Sequence, residues 1–305
     1  MSALRSLLLA AADSPRLQRF VQRYGFRLGA ARFVAGESLD AAVPVLRRLN
    51  EQGLLTNTTL LGEGVRDEAA TREVVAAYRD VLDRIHAEGL RTNVALKLTH
   101  LGLSIDEELA QRNAGELVGQ AAQLGNFIRI DMEESAHVDA TLGIYRRLRE
   151  SGHDNVGAVL QSYLFRSEKD LAALLPLAPN LRLVKGAYLE PPEVAYPDKS
   201  DVDAAYVRLL EKSLAAAGFT AVATHDERLI EHAISFAREH GIPKERFQFQ
   251  MLYGVRSRLQ LDLVGRGFDV LVATPYGPEW YRYLMRRLAE RPANVLFLLR
   301  NLVRG

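Results

Sequence analysis

Arg286 and Arg287 stand side by side in a stretch with helical spacing. Adjacent guanidinium groups repel unless an anion sits between them, and their planar forks match a carboxylate or a phosphate. Tyr283 and Glu290 share the face of this pair, and Glu290, four residues after Arg286, can steady one fork while the other stays open. Gly277-Pro278 reads as a turn followed by a first helical position, and Pro292 closes the run, which predicts a helix from about Glu279 to Arg291. The spacing alone fits a solvated helix laced with charge pairs better than an anion site.

More polar residues stand at the ends of short β-rich runs: Glu63, Lys97, Asp131, Gln161, Lys185, Thr224 with His225, Gln250 with Tyr253, and the segment Ala273 to Tyr276. Gathered at one mouth, Lys97, Arg182, Lys185, Arg286 and Arg287 form a basic pocket relieved by Asp131, Glu63 and Glu290. Such a site suits an anionic ligand, or a phosphorylated cofactor together with a carboxylate substrate. Several other chemistries lack their residues. Cysteine is absent, which excludes disulfides, thiolate metal sites and thiol nucleophiles and fits a reducing cytoplasm. The seven histidines contain no HExxH or close pair, so no metal site is expected, and no Gly-x-Ser-x-Gly elbow occurs. Gly62-Glu-Gly64-Val-Arg-Asp67 lacks the third glycine of a dinucleotide fingerprint and reads as a turn.

The elements that must position these groups follow a repeat of strand, polar residue and glycine-closed helix. The strand-like runs are Leu54–Leu61, Asn93–Leu98, Phe127–Met132, Val156–Gln161, Leu181–Lys185, Thr220–Thr224, Phe247–Met251 and Asp269–Ala273. Ser167 with Asp170 resembles a capping box, Asp226 and Gly241 bracket one helix, and Gly218 reads as the end of the helix begun near Asp201. Strands alternating with helices imply parallel pairing and right-handed crossovers. A distorted (β/α)8 barrel of the TIM type is the most economical α/β architecture, with a doubly wound open sheet as the alternative. A helical arm is expected over residues 1–53, including an amphipathic helix from Leu39 to Leu49, and a catalytic barrel over residues 54–305.

With 305 residues, 48% hydrophobic and 25% charged, the composition is that of an ordinary globular chain. A net charge of +1 gives no reason to expect nucleic acid. No apolar run reaches the length of a membrane span, and the apolar core Leu7–Ala12 is short for a secretory signal. Arg5, Arg16, Arg19, Arg23, Arg27 and Arg32 face a single acid, Asp13, so the arm either packs on the barrel or meets an anionic surface. Residues 295–304, VLFLLRNLVR, are apolar enough either to pack on the barrel or to dock on lipid.

Five motifs occur in an order that resembles the proline dehydrogenase family, over about residues 32–300. They are Ala95-Leu-Lys97-Leu, Arg129-Ile-Asp131-Met132, Arg182-Leu-Val-Lys185-Gly186-Ala187-Tyr188, Ala223-Thr224-His225-Asp226, and Tyr283-Leu-Met-Arg286-Arg287. The resemblance implies a distorted (β/α)8 barrel that holds FAD at its strand ends, oxidises L-proline to Δ1-pyrroline-5-carboxylate and passes the electrons to a membrane quinone. Arg286, Arg287 and Lys97 then clamp the proline carboxylate so that C5 faces the flavin N5. Asp131 and Arg182 take the catalytic places, Arg182 near N5 and Asp131 as the ion-pair partner of Lys97. Met132, Gln161, Arg182 and the Lys185-Gly186-Ala187 backbone contact the flavin, with Thr224 and His225 further along the dinucleotide. Tyr188 and Leu252 wall the substrate ring. Glu290 supports the arginines, and Glu63 either latches the last helix by pairing with one of them or stays solvated. A separate pyrroline-5-carboxylate dehydrogenase is the expected next enzyme, and the implied location is the cytoplasm, with peripheral contact at the inner face of the membrane.

The chain departs from the family at Ala273, where a tyrosine is usual two residues before the proline of the strand-eight turn. Tyr276 follows that proline and points elsewhere, so the gap either weakens proline binding or admits a 4-hydroxyl. The residues also leave open a barrel aldolase with a Schiff base on Lys97 or Lys185, a related flavin barrel such as a folate reductase, and an FAD-binding protein without turnover.

Overall fold

In the computed structural model, Arg19, Val21 and residues 30–290 are described, with side chains as far as Met285. The β-rich runs form eight strands: β1 Leu55–Leu60, β2 Thr92–Leu96, β3 Ile128–Ile130, β4 Val156–Gln161, β5 Asn180–Val184, β6 Phe219–Ala223, β7 Phe247–Leu252 and β8 Val270–Tyr276. Each pairs in parallel with the next, and β1 closes on β8 through a register running from Leu55↔Leu271 to Leu60↔Tyr276. That closure establishes the barrel and eliminates an open sheet. The loosest seam lies at β3, which registers with β4 only at Ile128↔Val156 and Arg129↔Gly157. There the buried Arg129 guanidinium donates to the carbonyls of Ala158 at 2.9 Å and Asn180 at 2.8 Å, bridging strands where the ladder is short.

Helices return the chain between strands, and their starts follow local chemistry. Ser38, Asp67, Asp106 and Asp226 each cap a helix by accepting a backbone N–H, and Gly241, at φ +63°, follows the helix Glu227–Glu239 as expected. Two other expectations fail. The helix Ser167–Leu174 has Arg166 before it, already helical; the Ser167 hydroxyl donates to the Gln161 carbonyl at 2.6 Å and Asp170 pairs with Arg166, so no capping box forms. The helix Lys199–Ala215 ends before Gly218. Gly218 is required elsewhere, because a Cβ there would collide with the Pro179 carbonyl.

The main core lies between the strands' outer faces and the helices, with Val94, Leu96, Ile128, Ile130, Val222 and Val272 among its buried members. The helix Leu39–Glu51 contributes Ala42 and Leu49 to the same core, although it precedes the expected barrel boundary. A separate cluster joins Ala30, Phe33, Val34 and Leu61 to Trp280, Tyr281, Leu284 and Met285. It docks the helix Trp280–Glu290, found close to its expected bounds, against the barrel rim. Arg286, Arg287 and Glu290 belong to this helix, but their side chains lie outside the described residues, as do Arg5, Asp13, Arg16, Arg23, Arg27 and residues 295–304. Among the described residues no helix is long and apolar enough to cross a membrane.

Candidate active site

Side chains at the carboxyl ends of barrel strands converge, and here they line a cavity of about 700 Å³. Its floor is built around Arg182, which points inward from β5 and is buried. The Arg182 Nε donates to Gln250 Oε1 on β7 at 2.5 Å, Nη1 to Asp131 Oδ1 at 2.7 Å, and Nη2 to Asn57 Oδ1 on β1 at 3.2 Å. Asn57 in turn donates to Asn93 on β2. One planar fork is thus fixed from several strands, which restricts its motion far more than a single ion pair would. Burial pulls the Arg182 guanidinium below the usual arginine range, and Asp131 opposes that shift.

Above the floor, Lys97 Nζ donates to Glu63 Oε2 at 2.6 Å and to the Tyr188 hydroxyl at 2.9 Å, with the Tyr188 ring centroid 5.5 Å away. Burial alone would depress this ammonium; Tyr188, Glu63 and Glu133 together hold it above the ordinary lysine range. Burial likewise pushes the Tyr188 phenol up to about 12, with Lys97 opposing. The expected pairing of Lys97 with Asp131 is therefore corrected: Asp131 belongs to Arg182 and Lys97 to Glu63. Both residues sit just past the ends of adjacent strands, but the Arg182 fork takes the carboxylate at the floor while the lysine rises to the loop after β1. Glu63 is held by that lysine, and a latch to Arg286 or Arg287 falls on side chains outside the described residues. The ammonium of Lys97, held above the ordinary lysine range, lacks the depressed basicity that a Schiff-base lysine needs, and Lys185 is engaged by Asp203 at 2.5 Å with Asp226 at 3.7 Å.

The remaining expected residues gather on the β3 to β8 side. Met132, Gln161, Lys185, Gly186, Ala187, Thr224, His225, Leu252 and Ala273 all line the cavity. Gln161 Nε2 donates to the Glu133 carbonyl at 2.9 Å, Thr224 Oγ1 accepts from the Asp226 amide, and His225 Nε2 accepts from the Leu252 amide, which places its proton on Nδ1. Gly186 adopts φ +117° with the Tyr163 ring where a Cβ would lie, so the chain turns closely against that ring. The loop beyond it, which brings Tyr188 to Lys97, is clasped by Glu190, whose carboxylate accepts from the Ser135 amide at 2.7 Å and hydroxyl at 2.5 Å. Tyr276 is buried in the main core and does not line the cavity, so nothing from that residue replaces the ring absent at Ala273. Tyr253 likewise lies outside the cavity lining.

Sequence reasoning missed several contributors. Asn57 lies within the polar run Thr56-Asn57-Thr58 of β1, a pattern that could have marked an inward polar group. Arg256, at φ +53°, lines the cavity beyond β7, and Glu133 is a carboxylate only 2% exposed just beyond β3. Glu133 accepts from the Thr99 amide at 3.0 Å and hydroxyl at 2.5 Å. Burial raises its carboxyl, while Lys97 and the Thr99 bonds oppose the shift.

The lining fits a flavin dinucleotide. Met132, Val159, Val184 and Met251 offer an apolar bed for a flat ring system beside the Arg182 fork, which keeps two of its five N–H donors beyond those engaged in the floor. Lys185, Lys199 and Arg256, with the close backbone at Gly186, supply cations and space for a pyrophosphate. Among the described residues no cluster of acids and histidines could hold a metal ion.

A model of the family described as proline dehydrogenase matches residues 42–300. The proline dehydrogenase of Deinococcus radiodurans is 43% identical over 305 residues, covering 99% of this chain and 98% of that one. Proline dehydrogenase 1 of Bacillus subtilis is 40% identical over 301 residues, with 99% of both chains covered. Among solved structures, proline utilization A from Bdellovibrio bacteriovorus, inactivated by N-propargylglycine, superposes with a TM-score of 0.82 at 24% identity. The match covers 89% of this chain and 33% of that larger protein.

Proposed function

The chain belongs to the proline dehydrogenase family, and from that membership we propose that it is an FAD-dependent enzyme converting L-proline to Δ1-pyrroline-5-carboxylate, the first step of proline catabolism. The observation that carries this reading is the stacking of two polar layers, with Lys97 over the Arg182 floor, inside one cavity large enough for cofactor and substrate together. When bound, the flavin supplies the acceptor for the hydride leaving C5 of proline. The protein's own groups bind and orient. Lys97 has three N–H donors, two of them engaged by Glu63 and Tyr188, and the third serves the proline carboxylate. Arg286 and Arg287 complete the clamp from the last helix, with Glu290 steadying them. Charge-assisted bonds of this kind contribute about 1.5–3 kcal/mol each, enough to fix a small ring in one orientation. Tyr188, Leu252 and Ala273 form the wall against that ring.

Arg182 holds the polar edge of the flavin, and Asp131 keeps its fork aimed. Met132, Gln161 and the Lys185-Gly186-Ala187 backbone bound the cofactor, with Thr224 and His225 further along the dinucleotide. Electrons pass on to a membrane quinone, which requires peripheral contact at the cytoplasmic face, and a pyrroline-5-carboxylate dehydrogenase takes the product. Support for that partner comes from the bifunctional protein PutA of Escherichia coli, of which 26% aligns with 98% of this chain at 27% identity. The catalytic barrel spans residues 54–305, and from the preceding segment 1–53 the helix Leu39–Glu51 packs into the barrel's core.

An anaerobic titration with L-proline, following oxidised flavin absorbance, tests the reading, with trans-4-hydroxy-L-proline as a second arm. Bleaching by proline is the expected outcome. Preferential bleaching by hydroxyproline would assign the space at Ala273 to a hydroxyl, and a yellow protein bleached by neither would overturn the proposal.

A further inference from the structure

We propose that Glu133 is a positioning residue that sets the loop carrying Glu63, and through it Lys97, for the substrate carboxylate. The inference rests on the proline-oxidising reading of the same site. Glu133 is an anion taken almost wholly out of water, a placement that costs several kcal/mol unless its oxygens are matched. Both carboxylate oxygens are bound to one residue, Thr99, through its amide and its hydroxyl. Thr99 relays the contact: its hydroxyl accepts from the Gly64 amide at 3.1 Å, and its carbonyl accepts from the Val65 amide at 3.1 Å. Those two amides directly follow Glu63. Thr99 also lies two residues after Lys97, in a turn where the His100 amide donates back to the Lys97 carbonyl.

One buried carboxylate therefore fixes both partners of the Glu63–Lys97 pair from below. The loop needs such an anchor. Residues 61–67 form no regular element, and Gly64 sits at φ +67° with nothing within 4 Å of where its Cβ would lie. On its other side, the Glu133 carbonyl holds the cavity-lining Gln161. The ionisable groups that interact with Glu133 include Lys97, Glu63, Tyr188 and Tyr78, and its charge adds to the field that keeps Lys97 protonated. A packing role alone would be served more cheaply by an apolar side chain, and would not place both oxygens on the segment that carries the lysine.

The test uses the flavin-loaded full chain and four variants: Glu133→Ala, Glu133→Gln, Thr99→Val and Glu63→Ala. Amide hydrogen exchange of the protein alone should accelerate about tenfold at Gly64 and Val65 in Glu133→Ala and in Thr99→Val. The isosteric Glu133→Gln can keep both contacts and should restore most of the protection. In steady state with proline, Glu133→Ala and Thr99→Val should raise KM about tenfold while kcat per bound flavin stays within about twofold, and neither should add to the KM of Glu63→Ala. Unchanged exchange at Gly64 and Val65 would overturn the proposal, as would unchanged KM in both variants, full additivity with Glu63→Ala, or a Glu133→Gln as impaired as Glu133→Ala. Should the unsubstituted protein fail to oxidise proline, the functional reading falls, and the exchange data still decide whether Glu133 holds the loop.

Discussion

His100 is 6% exposed, its ring lies where a Cβ on Gly62 would fall and meets the Tyr78 ring edge-on at 6.0 Å, and its Nδ1 has no partner among the described residues. Burial first, then the nearby Lys97 ammonium, lowers its pKa from 6.5 to about 4, with Glu63 opposing. Below pH 6.5 the unfolded chain therefore binds a proton that the folded chain refuses, so His100 subtracts stability as the pH falls toward 4, by about 3 kcal/mol in all. Glu133 runs the other way, because a raised carboxyl contributes stability at low pH that is lost as the pH rises. Replacing His100 with Phe isolates the histidine: denaturant unfolding between pH 7 and 4 should show a shallower acid loss than the parent, and parallel slopes would refute the assignment. At this scale the sequence marked residues that meet around the cavity but not how they pair. Lys97, Asp131, Arg182 and Glu63 are legible because charged groups at strand ends rarely serve packing. Which acid meets which base depends on depth in the barrel, and depth is a property of strand stagger, which no local pattern encodes.

Element positions were easier to read than their ends. Strands announce themselves by apolar β-rich runs, and the Asp226 cap and the proline-bounded last helix follow from local rules. Gly218 and Ser167 misled because glycine and serine answer to contacts from distant segments, Pro179 in one case and the Gln161 carbonyl in the other. The last helix has a further dependence of this kind. Its anchor, Trp280, is fully buried, donates Nε1–H to Glu37 at 2.8 Å and packs in a cluster separate from the main core. Trp280→Ala removes contacts that are together worth about 3–5 kcal/mol, and the separateness of the cluster directs that loss to the docking of the helix rather than to the barrel. Because the helix carries Arg286 and Arg287, KM for proline should rise at least about tenfold while the main thermal transition moves by only a few degrees. A fall in thermal stability with KM unchanged would show instead that the helix and barrel melt as one unit.

The described strands form a closed ring whose joining seam, β1 to β8, is also its longest register. The core that stabilises it lies outside the ring, between strands and helices, whereas the proposed flavin bed is made of strand-end side chains around an open cavity of about 700 Å³. Removing the cofactor should accordingly leave the barrel folded but less stable. A ligand at one hundred times its dissociation constant stabilises the native state by about 2.7 kcal/mol, and for a chain of this size each kcal/mol moves the melting temperature by about 2 °C. Flavin-free protein should keep its far-ultraviolet circular dichroism and melt about 5 °C below the loaded form. Added FAD should restore the difference in a concentration-dependent way, with riboflavin, which lacks the pyrophosphate proposed to meet Lys185, Lys199 and Arg256, restoring less. Loss of secondary structure on flavin removal would mean that the cofactor is part of the core. Equal rescue by riboflavin would mean that the cations around Gly186 bind no phosphate.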